Sequence, residues 1–181
     1  MNAANVKQEA PPARLSRAEL RRRWQQMLVD PMLADIPGKI ELNEKGTIEL
    51  TPPNTRHGIF QAFIAGELQR LRPDGTTMTE CGIETDAGVR GPDVMWASAE
   101  FMNRHGTDSP LPRAPELCIE VLSPSNTEPE MQQKIAAYLA AGAVEVWIVK
   151  EDGTVEILSE HGPIASSSLG IAIAPLPLPK K

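Results

Sequence analysis

Three charged side chains are spaced so that a catalytic site could use them. Asp93 follows Pro92 at the start of a predicted strand, Glu120 lies near the end of the next one, and Lys134 lies on the following helix. If the two strands are neighbours, both carboxylates meet at one end of the sheet and offer oxygen ligands to a hard divalent cation such as Mg²⁺. The lysine ammonium could then orient an attacking water or stabilise charge on a phosphate. Such spacing is common, so these residues alone more often indicate a turn cap and an exposed strand residue.

Other chemistries have little support in the sequence. Cys81 and Cys118 have no Cys or His partner at ligand spacing, which argues against zinc, and two cysteines do not make a secreted disulfide framework. The sequence lacks a glycine-rich phosphate loop and a Gly-x-Ser-x-Gly nucleophile motif. We interpret Cys118 as a small, apolar-like core residue.

The composition indicates one globular domain and limits the partners. The chain has 181 residues, of which 41% are hydrophobic, and this excludes a fully disordered protein. The net charge of −6 is divided into +3 over residues 1–30 and −9 over the rest. A domain that coats nucleic acid is usually basic throughout, so nucleic-acid binding here would need local patches and a metal. A signal peptide and a long apolar run are missing, so we expect no membrane partner and a cytoplasmic location.

The periodicity predicts an α/β fold, in which a mixed β-sheet is flanked by helices and an additional helix lies at the N-terminus. We expect a disordered tail at residues 1–15, a single domain over residues 16–175 and a short tail at residues 176–181. The predicted helices begin at Ser16, which forms a capping box with Glu19, and at residues 55 and 128. The predicted strands cover residues 39–42, 47–50, 76–85, 93–97, 116–122, 144–149 and 154–158, with one edge strand within 164–178 and a loop at 99–114.

Three sequence strings together resemble a known family. They are GPDV at residues 91–94, APELCIEVLSPS at residues 114–125 and KIAAYLAAGAVEVW at residues 134–147. The chain resembles the Uma-two family, whose members have a restriction-endonuclease-like domain and belong to the PD-(D/E)XK nuclease superfamily. The resemblance covers about residues 16–175, and the EVLSPS part of the second string is its most specific piece.

The resemblance implies roles for individual residues. In such nucleases an Asp and a Glu bind the metal, which implies Asp93 and Glu120 here. The lysine that usually follows two positions after the Glu falls on Leu122, which cannot do that work. Lys134 is therefore the candidate, as in members whose lysine has migrated to the next helix. His57 matches a family histidine near the start of a helix, where a site role and a capping or packing role are equally supported.

The implied function is Mg²⁺-dependent hydrolysis of phosphodiester bonds in DNA, with Mn²⁺ as an alternative metal. We expect a homodimer, because restriction-type nucleases often pair two sites on a two-fold duplex. The N-terminal helix, with Trp24 and Met27, and the low-charge segment 165–178 are the predicted dimer surface.

Two other functions stay open. A catalytically inactive nuclease-fold module could bind a protein or nucleic-acid partner, and both the negative charge and Leu122 favour it. The presence of all three candidate residues favours the enzyme. A structural oligomerising domain leaves those residues unexplained. The run Arg21–Arg23 indicates an exposed helix face more often than a DNA-facing rim. Glu84 is expected to be an exposed strand residue rather than another carboxylate of the site.

Overall fold

The computed structural model describes residues 13–33 and 36–176, so most of the predicted N-terminal tail and residues 177–181 lie outside the described residues. Within these ranges the chain forms four helices and ten strands. None of these helices is long and apolar enough to cross a membrane. The helices are α1 (Arg17–Leu28), α2 (Thr55–Leu71), α3 (Ala99–His105) and α4 (Glu128–Ala140). The strands are β1 (Lys39–Asn43), β2 (Ile48–Thr51), β3 (Gly75–Met78), β4 (Ile83–Thr85), β5 (Gly88–Arg90), β6 (Val94–Ser98), β7 (Leu117–Val121), β8 (Glu145–Val149), β9 (Val155–Ser159) and β10 (Gly162–Ile164).

The strands form two sheets instead of one, within the α/β fold class that the sequence predicts. The larger sheet has six strands in the order β10-β9-β8-β7-β6-β3, and it is mixed because β7 and β8 run parallel while its other neighbours run antiparallel. Helix α4 makes the crossover that a parallel pair requires. The smaller sheet is antiparallel, in the order β2-β1-β5-β4.

The centre of the larger sheet is covered on both faces. Leu117, Ile119 and Val121 of β7 face the core that contains α2, whereas Cys118 faces the core that contains α3 and α4. Side chains therefore alternate between the two faces along the predicted strand 116–122, and all five residues of β7 are buried. Glu120 consequently lies inside the protein, because a strand beside a parallel partner is covered by helices on each side. Cys118 is a buried free cysteine, as expected.

Helix α1 packs on the smaller sheet and builds a separate core. Leu20, Trp24 and Met27 line its buried face against Leu42 and Val89. The Ser16–Glu19 capping box begins this helix as predicted. Since Trp24 and Met27 are buried within their own chain, the prediction that they form a dimer surface is wrong.

Three predicted segments differ from the structure. The predicted strand 76–85 is divided between β3 of one sheet and β4 of the other, and the chain turns at Glu80, whose φ is 56°. The predicted loop 99–114 contains α3, which is capped by the Ser98 side chain and buries Phe101. One buried residue in a seven-residue helix is too little periodicity to detect.

The C-terminal segment provides the third difference, because the edge strand is β10 and ends at Ile164. From residue 165 to residue 176, the last that the structure describes, the chain packs without forming a strand. Glu145 of β8 accepts hydrogen bonds from the hydroxyls of Ser167 and Ser168, and Ile171 and Leu176 are buried against the α2 side of the sheet. This segment is therefore part of the core of its own chain.

Candidate active site

Asp93 and Glu120 are brought together by neighbouring strands of the larger sheet. Asp93 immediately precedes β6, and Glu120 is the penultimate residue of β7. The antiparallel register pairs Val94 with Ile119, which places Asp93 opposite Glu120. Side chains that lie opposite each other project from the same face of a sheet. Both carboxylates are almost completely buried, with 1% of Asp93 and 3% of Glu120 exposed.

Lys39 of β1 joins the two carboxylates. Its ammonium nitrogen lies 2.5 Å from Oδ1 of Asp93 and 3.5 Å from Oε2 of Glu120. The lysine side chain is itself buried. One cation therefore contacts an oxygen of each acid.

Helix α4 contributes two further groups to Glu120. The ammonium of Lys134 lies 3.2 Å from Oε1 of Glu120 and 3.0 Å from Oε2 of Glu41. Four residues later, the hydroxyl of Tyr138 donates a 2.6 Å hydrogen bond to Oε1 of Glu120. Residues four apart lie on one helical face, so both groups approach the carboxylate from the same side.

Glu41 extends the site into the smaller sheet. It lies two residues after Lys39 on β1, and residues two apart on a strand face the same way. Its carboxylate accepts a 2.8 Å hydrogen bond from the backbone amide of Gly91 and lies 3.9 Å from the guanidinium of Arg90. The contacts form a buried chain of alternating charge from Arg90 through Glu41, Lys134, Glu120 and Lys39 to Asp93.

His57 lies beside the second oxygen of Asp93. Its Nε2 is 2.9 Å from Oδ2 of Asp93, which also accepts a 2.7 Å hydrogen bond from the backbone amide of Val121. The backbone amide of His57 donates to the side chain of Asn54, the N-cap of α2. The N-cap is therefore Asn54, and the imidazole is free to contact the site acid.

The two acids have opposite pKa shifts. Burial would raise the pKa of Asp93, but the hydrogen bond with His57 and the charge of Lys39 outweigh burial and hold this pKa well below its usual range. Burial raises the pKa of Glu120, and the nearby charges of Lys134 and Lys39 offset that effect only in part. Asp93 is thus the more strongly ionised of the two carboxyls.

The pKa values of Lys39, Tyr138 and His57, which contact these acids, are also shifted. Burial would lower the pKa of Lys39, yet the charges of the surrounding carboxylates, led by Glu120, raise it above its ordinary value. Burial raises the pKa of Tyr138 well above its ordinary value, so its hydroxyl stays protonated as a donor to Glu120. The pKa of His57 is raised chiefly by its hydrogen bond to Asp93.

A cavity of about 620 Å³ opens onto these groups. Its walls include both acids, Lys39, His57 and Lys134, together with the loop at residues 123–126. The volume is in the range of pockets that hold small-molecule ligands. The buried acids are thus reachable from one cavity.

The donors suit a small, hard cation. Within the residues that the structure describes there is no group of three or more His, Cys, Asp or Glu side chains placed to hold a metal ion. Mg²⁺ commonly needs only one or two carboxylates, with water and substrate phosphate completing its shell. Asp93 and Glu120 already share one cation, the Lys39 ammonium, which shows that both can be directed at a single positive centre.

A family comparison is decisive for classification. The model of the Uma2 family, whose description is "Putative restriction endonuclease", matches residues 24–167, which is most of the chain. The chain belongs to the Uma2 family. The matched range includes both acids, both lysines and His57.

The Uma2 chain is also similar to a solved structure. A crystal structure of "a putative nuclease belonging to DUF820" from Anabaena variabilis aligns with a TM-score of 0.58 at 18% sequence identity. The alignment covers 68% of this chain and 75% of that chain. At this identity the similarity establishes that the two chains share a fold. None of the curated proteins is similar enough to count as a match.

The structure also places Leu122 and Glu84, two positions that the sequence analysis named. Leu122 packs against the core on the α4 side. Glu84, expected to be exposed, is 4% exposed and forms an ion pair with Arg21. Neither Arg21 nor Glu84 lines the cavity of about 620 Å³. The N-terminal arginine therefore stabilises the contact between α1 and β4.

Lys39, Glu41 and Tyr138 are the site residues that sequence analysis missed. The first two form a Lys-Ile-Glu string in a predicted strand, where period-two alternation puts both charges on one face. That signal was present, but nothing local indicates that the face is covered by another sheet. Tyr138 lies on the buried face of α4, and it is both buried and hydrogen-bonded.

Proposed function

We propose that this Uma2-family chain is a metal-dependent endonuclease that hydrolyses phosphodiester bonds in DNA. Asp93 and Glu120 would hold the metal, Mg²⁺ or Mn²⁺, and Lys134 would be the catalytic lysine. The observation that carries the proposal is the convergence of two buried carboxylates from neighbouring strands on one cavity, with ammonium groups beside them. Family membership supports the nuclease class.

The residues of the site would have different roles in the reaction. When bound, the metal would supply a water of lowered pKa and positive charge for the scissile phosphate. Asp93 is kept ionised by His57 and Lys39, so it is available as a ligand. Glu120 is oriented by the hydroxyl of Tyr138.

Lys134 is held at the wall of the cavity. Its contacts with Glu41 and Glu120 fix the ammonium beside the acid pair, where it adds positive charge to a pocket that must receive a phosphate. A fixed charge that needs no reorganisation stabilises a transition state more than a mobile one. Glu41 is a positioning residue in this scheme, since it acts through Lys134.

The proposal is tested by metal-dependent cleavage of supercoiled plasmid DNA. Wild type should nick and linearise the plasmid with Mg²⁺ or Mn²⁺ and stop when EDTA is added, and Asp93→Ala should be inactive. Asp86→Ala is the matched control, because Asp86 is an exposed aspartate paired with Arg17 on the surface. Circular dichroism verifies that each variant is folded. A folded Asp93→Ala protein that cleaves like wild type contradicts the proposal.

An inactive binding module is the second candidate. The observation that favours it is that every site carboxylate is already paired with a cation of the chain, together with the net charge of −6. The binding-module hypothesis predicts that the protein binds a partner tightly and that the metal-loaded protein cleaves neither DNA nor RNA. The plasmid assay, repeated with single-stranded DNA and RNA, separates the two functions.

We also propose that the protein is a homodimer. The dimer surface cannot include Trp24, Ile171 and Leu176, because they are buried. The apolar surface that supports a dimer is at the end of α1, where Leu28, Val29 and Met32 are exposed. Light scattering at micromolar concentration should give twice the monomer mass, and a Met32→Glu variant should give the monomer mass. A cytoplasmic location and a single domain over residues 16–175 stay predictions.

A further inference from the structure

The position of Lys39 has a consequence for metal binding. Its ammonium contacts an oxygen of Asp93 at 2.5 Å and an oxygen of Glu120 at 3.5 Å, and the side chain is buried. Oxygen atoms that one nitrogen can contact together are the atoms that one divalent cation would share. Lys39 therefore occupies the place that the metal needs.

Charge repulsion makes it unfavourable for the Lys39 ammonium and a divalent cation to lie between the two acids at the same time. Two cations a few ångströms apart repel each other strongly in a buried site, where solvent screens charge weakly. Lys39 and Lys134 already balance Asp93 and Glu120, and Arg90 lies beside Glu41. A divalent ion between the two acids would add positive charge that the pair cannot offset while Lys39 stays.

Lys39 has space into which it can withdraw. It lines the main cavity and also a second one of about 250 Å³, whose walls include Trp24 and Leu33. Glu80 also lines both cavities, so each of them offers the Lys39 ammonium an acidic neighbour. Lys134 of α4 differs from Lys39 in this respect, because its ammonium is held between Glu41 and Glu120.

We propose that Lys39 is a built-in counter-ion that a divalent cation must displace from Asp93 and Glu120. The site then exists in a lysine-bound form without metal and a metal-bound form in which the Lys39 ammonium has moved out of contact with the acids. The inference depends on the proposed function only in taking these two carboxylates as the metal ligands. It gives Lys39 a regulatory role, since the lysine sets the metal concentration at which the site fills.

Direct metal titration provides the first test. Isothermal titration of Mn²⁺ into Lys39→Met should show binding about tenfold tighter than wild type or better, because the competing charge is gone. Lys134→Met is the matched control, and its gain should be clearly smaller because Glu41 shares that ammonium. Equal or weaker Mn²⁺ binding by Lys39→Met, or no binding at all, overturns the proposal.

Lysine labelling of the wild-type protein provides a second test that needs no variant to fold. Acetylation followed by mass spectrometry should modify Lys39 faster when Mg²⁺ is present, while exposed Lys150 serves as the internal reference. Labelling of Lys39 that is unchanged or slower with a saturating metal overturns the displacement. Neither readout requires hydrolysis. Displacement without DNA cleavage contradicts the proposed nuclease alone, whereas cleavage without displacement contradicts this inference alone.

Discussion

The two sheets contribute different halves of the candidate site. The six-stranded sheet supplies the acids Asp93 and Glu120 from the middle of a core that is apolar on both faces. The four-stranded sheet supplies Lys39, whose ammonium contacts both acids, and the pair of Glu41 and Arg90, which is linked to Glu120 through Lys134. Its outer strand, β2, is mostly exposed. The acids are therefore fixed by the interior of the larger sheet, while the counter-charge of Lys39 depends on how the smaller sheet docks.

This difference explains why charged groups can be buried here without being isolated. A buried ion pair contributes little net stability, but removal of one partner is expensive because the other charge is left unpaired. Each buried acid of the site contacts at least two donors from different parts of the chain. The docking of the two sheets is thus coupled to the ionisation of the site.

Loss of an acid from the larger sheet should have the largest effect on stability. Asp93→Ala leaves the Lys39 ammonium, the His57 imidazole and the amide of Val121 without their shared partner. We expect the free energy of unfolding to fall by about 3–5 kcal/mol. Urea unfolding of the metal-free protein measures it, and Asp86→Ala should lose less than about 1 kcal/mol because its ion pair is on the surface. A loss for Asp93→Ala as small as that of the control would mean that the two sheets are not coupled through this acid.

Loss of the cation on α4 should affect catalysis more than the fold. Lys134→Met keeps the apolar stem of the side chain and removes the charge beside Glu120. We expect hydrolysis to slow by about 10²-fold or more, since the ammonium is proposed to act on the transition state. Single-turnover cleavage at saturating Mg²⁺ is the measurement. If this variant cleaves like wild type, Lys134 is not the catalytic lysine.

Loss of the Arg21–Glu84 ion pair, which joins α1 to the smaller sheet, should have a moderate effect on stability and none on cleavage. Arg21→Ala leaves the buried carboxylate of Glu84 without its cation. We expect the free energy of unfolding to fall by about 1–2 kcal/mol. Plasmid cleavage at a temperature where the variant is folded should be unchanged, and Arg22→Ala, which removes an exposed neighbour, is the control. A loss of DNA affinity in Arg21→Ala would instead favour the DNA-facing rim.

Replacement of His57 should have the smallest effect on stability, and that effect should depend on pH. The pKa of His57 is raised in the fold, so its protonated form stabilises the protein below the unfolded pKa of about 6.5, and this stability is lost as pH rises through the folded value. In metal-free protein, His57→Gln should lose about 1 kcal/mol relative to wild type at about pH 5.5, and less at about pH 9. Equilibrium unfolding at both values measures this. A deficit that grows with pH would contradict the assignment of the contact to a charged imidazole.

The contrast between the sheets also explains what could be predicted from the sequence. Local signals determined α1, α4 and β7, because capping residues and alternation are carried by adjacent positions. The acids Asp93 and Glu120 were found because each lies in a recognisable string, Asp93 directly before β6 and Glu120 within β7. Their placement opposite each other follows from the pairing of β6 with β7, which is a contact between strands that follow each other along the chain.

The smaller sheet could not be predicted as a unit, because the pairing of β1 with β5 that joins its two local strand pairs is long-range. β5 was missed, since it has three residues and pairs with β1, about 45 residues earlier. Gly88 of β5 has a φ of +117°, and a Cβ there would lie 2.0 Å from the carbonyl oxygen of Leu42. This close contact is visible only once the strands are paired. Lys39 was missed for the same reason.

The most direct test of the central claim uses Glu120→Gln, which keeps the shape of the side chain and removes its charge. If Asp93 and Glu120 together hold a divalent cation for DNA hydrolysis, this variant should fold, bind Mn²⁺ more weakly than wild type by titration, and leave supercoiled plasmid intact. Wild type under the same conditions should bind Mn²⁺ and cleave the plasmid. A folded Glu120→Gln protein that binds Mn²⁺ and cleaves DNA as well as wild type would contradict the claim.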